Sequence, residues 1–309
     1  MFTSISTVAL VGIVGVMYMI LVIWFTWNRY RLIRKLAEYV RDISSGNYAL
    51  DVRDNVEGEL SILKNEIYKV TSKLAEQSSA LKEDKIHLVD SISDISHQLK
   101  TPLTSMTMMA DFLASSDLPE AKREEFSTVL LRQLERIDWL VSSLLKLSKI
   151  DAGSVHFVKE QMTVQSFIKY VLERIQKNER TKEINIVVDG EADALISCDK
   201  NWTAEAFINV INNCMEHSPR GEMVEIRWKT NALYTQINVQ DHGPGISIKE
   251  RTQIFNRFFK GEHASEDSVG IGLAMAHTII TNQQGSIEID SEIGKGTTFI
   301  ITLYHPSKK

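Results

Sequence analysis

One histidine of this sequence lies in a setting that suits phosphoryl transfer. His97 belongs to the segment Ser96–Leu103, where apolar residues recur at helical spacing and Pro102 follows five positions later. Imidazole is largely neutral near pH 7 and keeps a free lone pair on one ring nitrogen, so it can act as a nucleophile. Pro102 cannot donate a hydrogen bond to the carbonyl of Gln98, so we expect a helix kink there. The segment predicts a solvent-accessible acceptor on a helix.

Later segments predict a nucleotide pocket. Asn209 and Asn213 lie four residues apart on a predicted helix, so they share one face, and an amide oxygen suits Mg²⁺. Asp241 follows a predicted strand and can accept a hydrogen bond from the exocyclic amine of adenine. Four glycines would let the backbone approach the base or the phosphates: Gly243, Gly245, Gly270 and Gly272. The sequence has neither a P-loop string nor an H-R-D string, which disfavours those two kinase folds.

Taken in order, these segments resemble the motifs of bacterial membrane-bound sensor histidine kinases. Ser96–Leu103 is similar to the H-box of the HisKA-type dimerisation domain. Asn209–Asn213 is similar to the N-box, Ile254–Phe259 to the F-box and residues 260–268 to the ATP lid of the Bergerat ATPase fold, which type II topoisomerases and Hsp90 chaperones share. Ser268–Ala274 and Gly294–Phe299 are similar to its glycine motifs. The resemblance implies ATP-dependent autophosphorylation of His97 and transfer to an aspartate of a response regulator in a two-component system, with a response-regulator phosphatase activity as a further expectation.

The resemblance also implies roles for single residues. Asn213 would bind Mg²⁺, Asn209 would help hold that site, and His217 would lie near the phosphates. Thr101 matches the position that aligns water for dephosphorylating the partner, although a hydroxyl there can also simply bond back to the helix. The remaining implied nucleotide contacts are Asp241, Gly243, Gly245, Arg257, Gly270, Gly272 and Leu273. For Gly294–Phe299, a turn between strands is favoured over ligand contact.

Two positions depart from the family pattern. Gln98 stands where the family usually has an acid that polarises the histidine, and an amide cannot take up a proton near neutral pH. Glu216 stands where many relatives have Lys. These departures motivate an alternative function, mainly a response-regulator phosphatase or phosphotransfer adaptor with weak autokinase activity. An ATP-gated structural protein of the chaperone type is a second alternative, and it has no use for a histidine on a dimeric hairpin.

The N-terminus predicts a membrane anchor. Val8 to Phe25 is an uncharged apolar run, which at about 1.5 Å per helical residue spans or nearly spans a bilayer core. Aromatic residues suited to the membrane interface lie at the end of the run and just after it: Trp24, Trp27 and Tyr30. A basic cluster follows the run: Arg29, Arg31, Arg34 and Lys35. The positive flank predicts a single-pass protein of the cell membrane, with residues 1–7 outside, a transmembrane helix at 8–28 and the catalytic domains in the cytoplasm. A cleaved signal peptide is disfavoured because a charged n-region and a cleavage site are missing.

The segment 29–80 predicts helix, connector, helix. One helix ends at Ser44–Asn47, a connector runs over 48–56, and a second helix reaches about Gln77. The pattern resembles a HAMP-type relay, and a plain juxtamembrane coiled coil is the alternative. Either requires a parallel homodimer to bury its narrow apolar stripes. With so short an outer segment, we expect the input to be a bilayer perturbation or a partner membrane protein such as a transporter.

The rest of the chain predicts two domains. Residues 81–153 form a helical hairpin, with helices from Ile86 to about Leu113 and from Glu120 to about Ile150, and we expect it to pair with a second copy as a four-helix bundle. Residues 157–306 alternate helix and strand and predict an α+β sandwich that binds ATP. The expected multidomain order is therefore transmembrane helix, HAMP-like relay, dimeric hairpin and Bergerat ATPase.

Composition sets limits on this interpretation. The chain has 309 residues, 43% of them hydrophobic, and a net charge of −5, which does not favour nucleic acid as a partner. Cys198 and Cys214 have no CxxC spacing, so we expect reduced thiols rather than a disulfide.

Overall fold

The computed structural model describes residues 2–45, 59–115, 118–176, 185–219, 221–262, 264 and 268–305. The chain divides into two compact units, Met1–Asp90 and Ser91–Lys309.

The first unit begins with one long helix, α1 (Phe2–Ser44). Its apolar stretch is exposed, and among the described residues Gly12–Ser44 is the one helix long and apolar enough to cross a membrane. The predicted span at 8–28 therefore lies inside a continuous helix. The helix ends at Ser44, where the predicted end Ser44–Asn47 begins. Ser45 donates its N–H to the carbonyl of Arg41 at 3.1 Å in the last turn. The predicted connector at 48–56 lies outside the described residues.

The next helix, α2, runs without interruption from Glu59 to Leu113. The predicted end near Gln77 and new start at Ile86 are therefore wrong. The segment 78–85 has no Gly or Pro, so nothing in it stops a helix that has already begun.

The second unit begins with the predicted helical hairpin, which the structure confirms. α2 ends at Leu113, and α3 runs from Glu120 to Asp151. The rings of Phe112 and Phe126 stack at 5.3 Å, and Arg123 donates to the carbonyl of Leu113 at 3.2 Å, which satisfies one of the free carbonyls at the end of α2. The buried stripe of α3 is confined to its second half: Leu140, Ser143, Leu147 and Ile150.

The remainder of this unit is an α+β domain, as predicted. Its helices are α4 (Val164–Gln176), α5 (Lys200–His217), α6 (Ile248–Arg251) and α7 (Gly272–Asn282). Its strands are β1 (Glu160–Thr163), β2 (Asn185–Gly190), β3 (Leu195–Cys198), β4 (Met223–Thr230), β5 (Tyr234–Gln240), β6 (Ser286–Glu292) and β7 (Gly296–Tyr304). A five-stranded sheet has the order β2-β4-β5-β7-β6, parallel only between β2 and β4, and β1 pairs with β3 in a separate antiparallel ribbon.

Local sequence explains why these elements form. Alternate residues of β4 and β5 are buried, so the period-2 pattern gives each strand one core face. An Asp before a helical segment is typical of an N-cap, and α5 starts directly after Asp199, whose carboxylate accepts from the N–H groups of Asn201 and Trp202 at 3.1 Å. α5 and α7 pack on the sheet, and Phe207 of α5 meets Phe167 of α4 edge to face at 5.2 Å. The ribbon β1–β3 and the short α6 were not expected.

Candidate functional site

His97 lies on α2 with its side chain exposed to solvent. Pro102 is buried within the same helix. Thr101 donates its hydroxyl hydrogen to the carbonyl oxygen of His97 at 3.3 Å, which is the local alternative that the sequence left open for this residue. Gln98 is half-buried beside the histidine. The helix thus offers an imidazole to solvent one turn before the proline.

Helix α5 aligns three predicted site residues. Asn209, Asn213 and His217 follow one another at intervals of four and are half-buried, so they lie along one edge of the helix. The side-chain oxygen of Asn209 faces the backbone of Gly272, where a Cβ would lie 3.4 Å away. The Nδ2 of Asn209 is buried and has no hydrogen-bond partner in the structure. A buried amide donor without a partner is expensive, so this atom is poised for a polar ligand.

Asp241, directly after β5, is only 3% exposed. Its Oδ1 accepts hydrogen bonds from the backbone N–H groups of Gly243 at 2.8 Å and Thr297 at 3.1 Å. The Cys214 thiol of α5 also bonds to this carboxyl group. Burial raises the pKa of Asp241, and the two backbone bonds offset part of that rise. Since one oxygen is held by two donors, the carboxyl group keeps a single orientation.

Backbone hydrogen bonds fasten the loop 241–246 to the turn between β6 and β7. The N–H of Asp241 donates to the carbonyl of Thr297 at 2.9 Å, and the N–H of Gly294 donates to the carbonyl of Pro244 at 2.8 Å. The motif Gly294–Phe299 is therefore a turn that leads into a strand, as the sequence favours, and it also supports the loop that carries Asp241.

Two glycines make this close approach possible. Gly245 has φ 76° and Gly296 has φ 93°, both in the left-handed region that favours glycine. A Cβ on Gly245 would overlap the carbonyl of Glu292, and a Cβ on Gly296 would overlap the carbonyl of Asp241. Any other residue at either position would push the loop and the turn apart.

The second glycine motif lies at the start of α7. Gly272 is the first residue of the helix and lies beside Asn209. The carbonyl of Gly270 accepts from the N–H of Phe258 at 2.8 Å, which ties the motif to the predicted F-box. Leu273 is half-buried and packs on the core. The structure therefore brings the N-box and this glycine motif together.

Arg257 of the F-box has a partner on the hairpin. Its Nη2 lies 2.6 Å from Oδ2 of Asp151, the last residue of α3. A second cross-link joins Lys146 of α3 to Glu205 of α5 at 2.7 Å. Arg257 therefore forms an ion pair between the α+β domain and α3, and its contact with the nucleotide stays a prediction.

Sequence reasoning missed the partners of Asp241. Cys214 falls in the buried i, i+3, i+4, i+7 series of α5, so the pattern indicates a core residue without showing what it touches. Sequence reasoning also missed Ser291, which contacts the other end of the loop 241–246. Its hydroxyl accepts a hydrogen bond from the N–H of Ile246 at 2.8 Å, and it lies on the buried face of its strand. A polar residue on an otherwise apolar strand face was the available signal.

Comparison with known families matches both domains. Residues 88–153 match the His Kinase A (phospho-acceptor) domain, and residues 198–307 match the Histidine kinase-, DNA gyrase B-, and HSP90-like ATPase. The sensor histidine kinase YclK of Bacillus subtilis is 26% identical over 88% of the chain and 58% of its own length. The sensor protein kinase WalK of Staphylococcus saprophyticus is 33% identical over 69% of the chain and 36% of its own length. The chain belongs to the sensor histidine kinase family.

Solved histidine kinases share the fold of this family member. The Acinetobacter baumannii histidine kinase AdeS, 22% identical, aligns with 67% of the chain and 97% of its own with a TM-score of 0.56. Histidine kinase ThkA, solved in complex with response regulator protein TrrA and 19% identical, aligns with 83% of the chain and 70% of its own with a TM-score of 0.61. The chain spans about half the length of the curated relatives it matches, from 36% of WalK to 58% of YclK.

Proposed function

We propose that the chain is an ATP-dependent protein-histidine kinase of a two-component system. It moves the γ-phosphoryl group of ATP to His97 and then to an aspartate of a response regulator. The observation that carries the proposal is that one chain presents an exposed histidine on a HisKA hairpin and a buried, oriented Asp241 in an ATPase domain. A protein that only bound or hydrolysed ATP would have no need of the exposed histidine.

Asp241 selects adenine in this proposal. Its carboxylate accepts a hydrogen bond from the exocyclic amine of the base, whereas guanine presents an oxygen at the same place. The fixed Oδ1 keeps the group from turning away. Gly243 and Gly245 allow the loop backbone to approach the base, while Gly270, Gly272 and Leu273 at the start of α7 and His217 at the end of α5 face the phosphates.

Mg²⁺ fits the amide edge of α5. Asn213 would supply an amide oxygen, a hard ligand that Mg²⁺ accepts, and Asn209 would help hold the site. No cluster of three or more His, Cys, Asp or Glu side chains occurs among the described residues, and Mg²⁺ bound to a nucleotide needs only one or two protein ligands. When bound there, the ion would neutralise negative charge on the phosphates.

The chemical step forms one bond and breaks one. A ring nitrogen of His97 attacks the γ-phosphorus, a nitrogen–phosphorus bond forms, the bond to the bridging oxygen breaks, and ADP leaves. The other ring nitrogen then gives up its proton. Gln98 can orient the ring by hydrogen bonding but cannot take that proton, so the proton passes to solvent, which the exposure of His97 permits.

A second copy of the chain completes the hairpin domain in this proposal. Large apolar side chains are exposed on both of its helices, among them Leu103, Phe112, Leu131, Leu134 and Leu145. Antiparallel helix pairs of two copies would cover such a surface in a four-helix bundle. We assign residues 81–153 to this domain and 157–306 to the ATP-binding domain.

In this proposal the N-terminal apolar helix anchors the protein in the cell membrane. The basic cluster after the apolar run supports a single pass with residues 1–7 outside, 8–28 in the bilayer and the catalytic domains in the cytoplasm. Residues 29–80 would relay the signal in a HAMP-like manner. The stimulus in this proposal is a bilayer perturbation or a partner membrane protein such as a transporter.

The test is incubation of the full chain, in lipid nanodiscs, with γ-labelled ATP and Mg²⁺. The proposal predicts a label that is stable in base and labile in acid. It predicts loss of the label in His97→Ala and in Asn213→Ala, and full labelling in the matched control His156→Ala, an exposed histidine outside the hairpin. Labelling that persists in His97→Ala would refute the assignment of the acceptor.

A second candidate function is favoured by Gln98 and Glu216. Without an acid beside His97 and a Lys near the phosphates, the chain would act mainly as a response-regulator phosphatase or phosphotransfer adaptor. Purified protein that binds ATP, labels itself weakly and removes phosphate from a phosphorylated receiver domain would support this function. Restoration of strong labelling by Gln98→Glu would show that the amide limits the kinase.

A further inference from the structure

We propose that Ser291 is a positioning residue for nucleotide binding, because its buried hydroxyl holds the loop 241–246 in the shape that presents Asp241. The inference rests on the proposed ATP binding. Ser291 lies on β6 and is 3% exposed. It acts through the loop rather than by contact with the nucleotide.

The hydroxyl of Ser291 makes three contacts and has no capacity left. Its Oγ accepts from the N–H of Ile246 at 2.8 Å, donates to the carbonyl of Gly296 at 2.9 Å and lies 3.0 Å from Oγ1 of Thr297. A hydroxyl has one hydrogen and two lone pairs. Since the carbonyl can only accept, the hydrogen of Ser291 points there, and Thr297 must donate to Ser291. One proton arrangement satisfies all three contacts.

These contacts link the strand to both ends of the Asp241 loop. Ile246 closes the loop, and Thr297 meets its start, where the N–H of Thr297 donates to Oδ1 of Asp241 at 3.1 Å. A series of hydrogen bonds therefore runs from Asp241 through Thr297 and Ser291 to Ile246. Removing the hydroxyl would leave a buried N–H, a carbonyl and a hydroxyl each short of one partner, and the loop would relax to recover them.

The strand pattern supports a specific role for this hydroxyl. The face of β6 that points to the core carries Ile287, Ile289 and Ser291 in alternation. An apolar residue would suit the third position if packing alone were needed. The hydroxyl occurs where the strand reaches the loop that follows β5, so its position matches a need for hydrogen bonds.

The experiment compares Ser291→Ala with Thr235→Val in the full chain. Thr235 is a matched control, because its hydroxyl is also fully buried in this sheet and donates to the carbonyl of Leu195 at 2.7 Å, but it lies at the opposite end of β5 from Asp241. Dissociation constants for ATP and GTP, thermal unfolding and the ATP dependence of labelling are measured for each. Both variants are expected to unfold at lower temperature than the wild type.

Only Ser291→Ala is expected to change nucleotide binding. It should weaken ATP binding about 5- to 30-fold, narrow the preference for ATP over GTP, and raise the KM for ATP while kcat at saturating ATP stays close to wild type. Ser291→Thr, which keeps a hydroxyl, should restore most of the affinity. Thr235→Val should keep the ATP dissociation constant within about twofold of wild type.

Each possible result of the binding measurements either supports or refutes the positioning role of Ser291. Equal ATP affinity in Ser291→Ala and the wild type, or equal losses in Ser291→Ala and Thr235→Val, would leave Ser291 with a purely structural role. A wild-type chain that does not bind ATP would overturn the proposed function and this inference with it. If Ser291→Ala does not fold, Ser291→Cys replaces it, because a thiol fills the same space but is only a weak hydrogen-bonding group. ATP affinity equal to that of the wild type, or a loss equal to that of Thr235→Val, would then refute the positioning role in the same way.

Discussion

Replacing Asp241 by asparagine should separate ATP binding from the stability of the ATPase domain. Asparagine has nearly the same shape, and its amide oxygen can still accept from the N–H groups of Gly243 and Thr297. The other end of the side chain changes from an acceptor to an N–H₂ donor. The exocyclic amine of adenine would then face a donor, and the hydrogen bond that selects the base would be lost.

The expected loss of affinity follows from the kind of bond removed. A hydrogen bond to a charged group contributes about 1.5–3 kcal/mol, so ATP should bind about 10- to 150-fold more weakly to Asp241→Asn. Calorimetric titration of the full chain with ATP and Mg²⁺ measures this. Asp290→Asn, at an exposed aspartate of β6, is the matched control and should bind ATP like the wild type.

Stability should change in the opposite direction. Burial raises the pKa of Asp241 above its unfolded value, so the stability it contributes is present at low pH and is lost as the pH rises through the folded pKa. Asparagine is uncharged at every pH. Without nucleotide, Asp241→Asn should therefore unfold at a higher temperature than the wild type at a pH above the folded pKa of Asp241, and the advantage should shrink as the pH falls through that pKa towards the usual Asp value of about 3.9.

Two results would refute this reasoning. Wild-type ATP affinity in Asp241→Asn would show that this carboxylate does not read the base. A variant less stable than the wild type at high pH would show that the buried charge of Asp241 does not oppose folding. Thermal unfolding with and without ATP distinguishes the two failures, because bound nucleotide raises the unfolding temperature by an amount that grows with the logarithm of its affinity, whereas the effect of the buried charge is present without nucleotide.

Further predictions concern the rest of the second unit. Arg257→Ala breaks the ion pair with Asp151, and both side chains of this pair are about two-fifths exposed. The free energy of unfolding should therefore fall by no more than about 1 kcal/mol, and by less at high salt. A larger loss of stability in thermal unfolding would contradict the exposed geometry. Burial raises the pKa of Cys198 to about 11 and that of Cys214 well above its usual range, so both thiols should react slowly with a thiol reagent until denaturant is added; rapid labelling of the native chain would contradict their burial. Gly296→Ala should destabilise the domain by more than about 1 kcal/mol in urea unfolding, and a neutral effect would show that the turn tolerates a Cβ.

Local patterns predicted much of the fold. The alternation in Glu222–Lys229 and Leu233–Gln240 predicts a hairpin, and the structure has β4 and β5 there. Asp199 predicts the start of α5, and Leu118-Pro119 predicts the break before α3. The sequence predicts two helices, one to about Gln77 and one from Ile86, where the structure has the single helix α2, because a helix can pass through a polar segment that contains no Gly or Pro. The strands β1 and β3 are four residues each, too short to show a period.

The candidate site could be predicted in its residue types but not in its internal contacts. The order of motifs indicates that Asn209, Asp241 and Gly272 belong to one pocket, and the structure brings Asn209 and Gly272 together. The supports of Asp241 are tertiary, since Thr297 lies 56 residues away, and Arg257 meets Asp151 across 106 residues. Such pairs depend on how β7 and α3 pack, which no local pattern specifies.

The most direct test of the central claim is to locate the phosphoryl group in the full chain after reaction with ATP and Mg²⁺. Digestion and tandem mass spectrometry under alkaline conditions, which preserve phosphohistidine, should place the group on the imidazole of His97 and on no other residue. A phosphoryl group found on another histidine, on a hydroxyl or on a carboxylate, with His97 unmodified, would contradict the account.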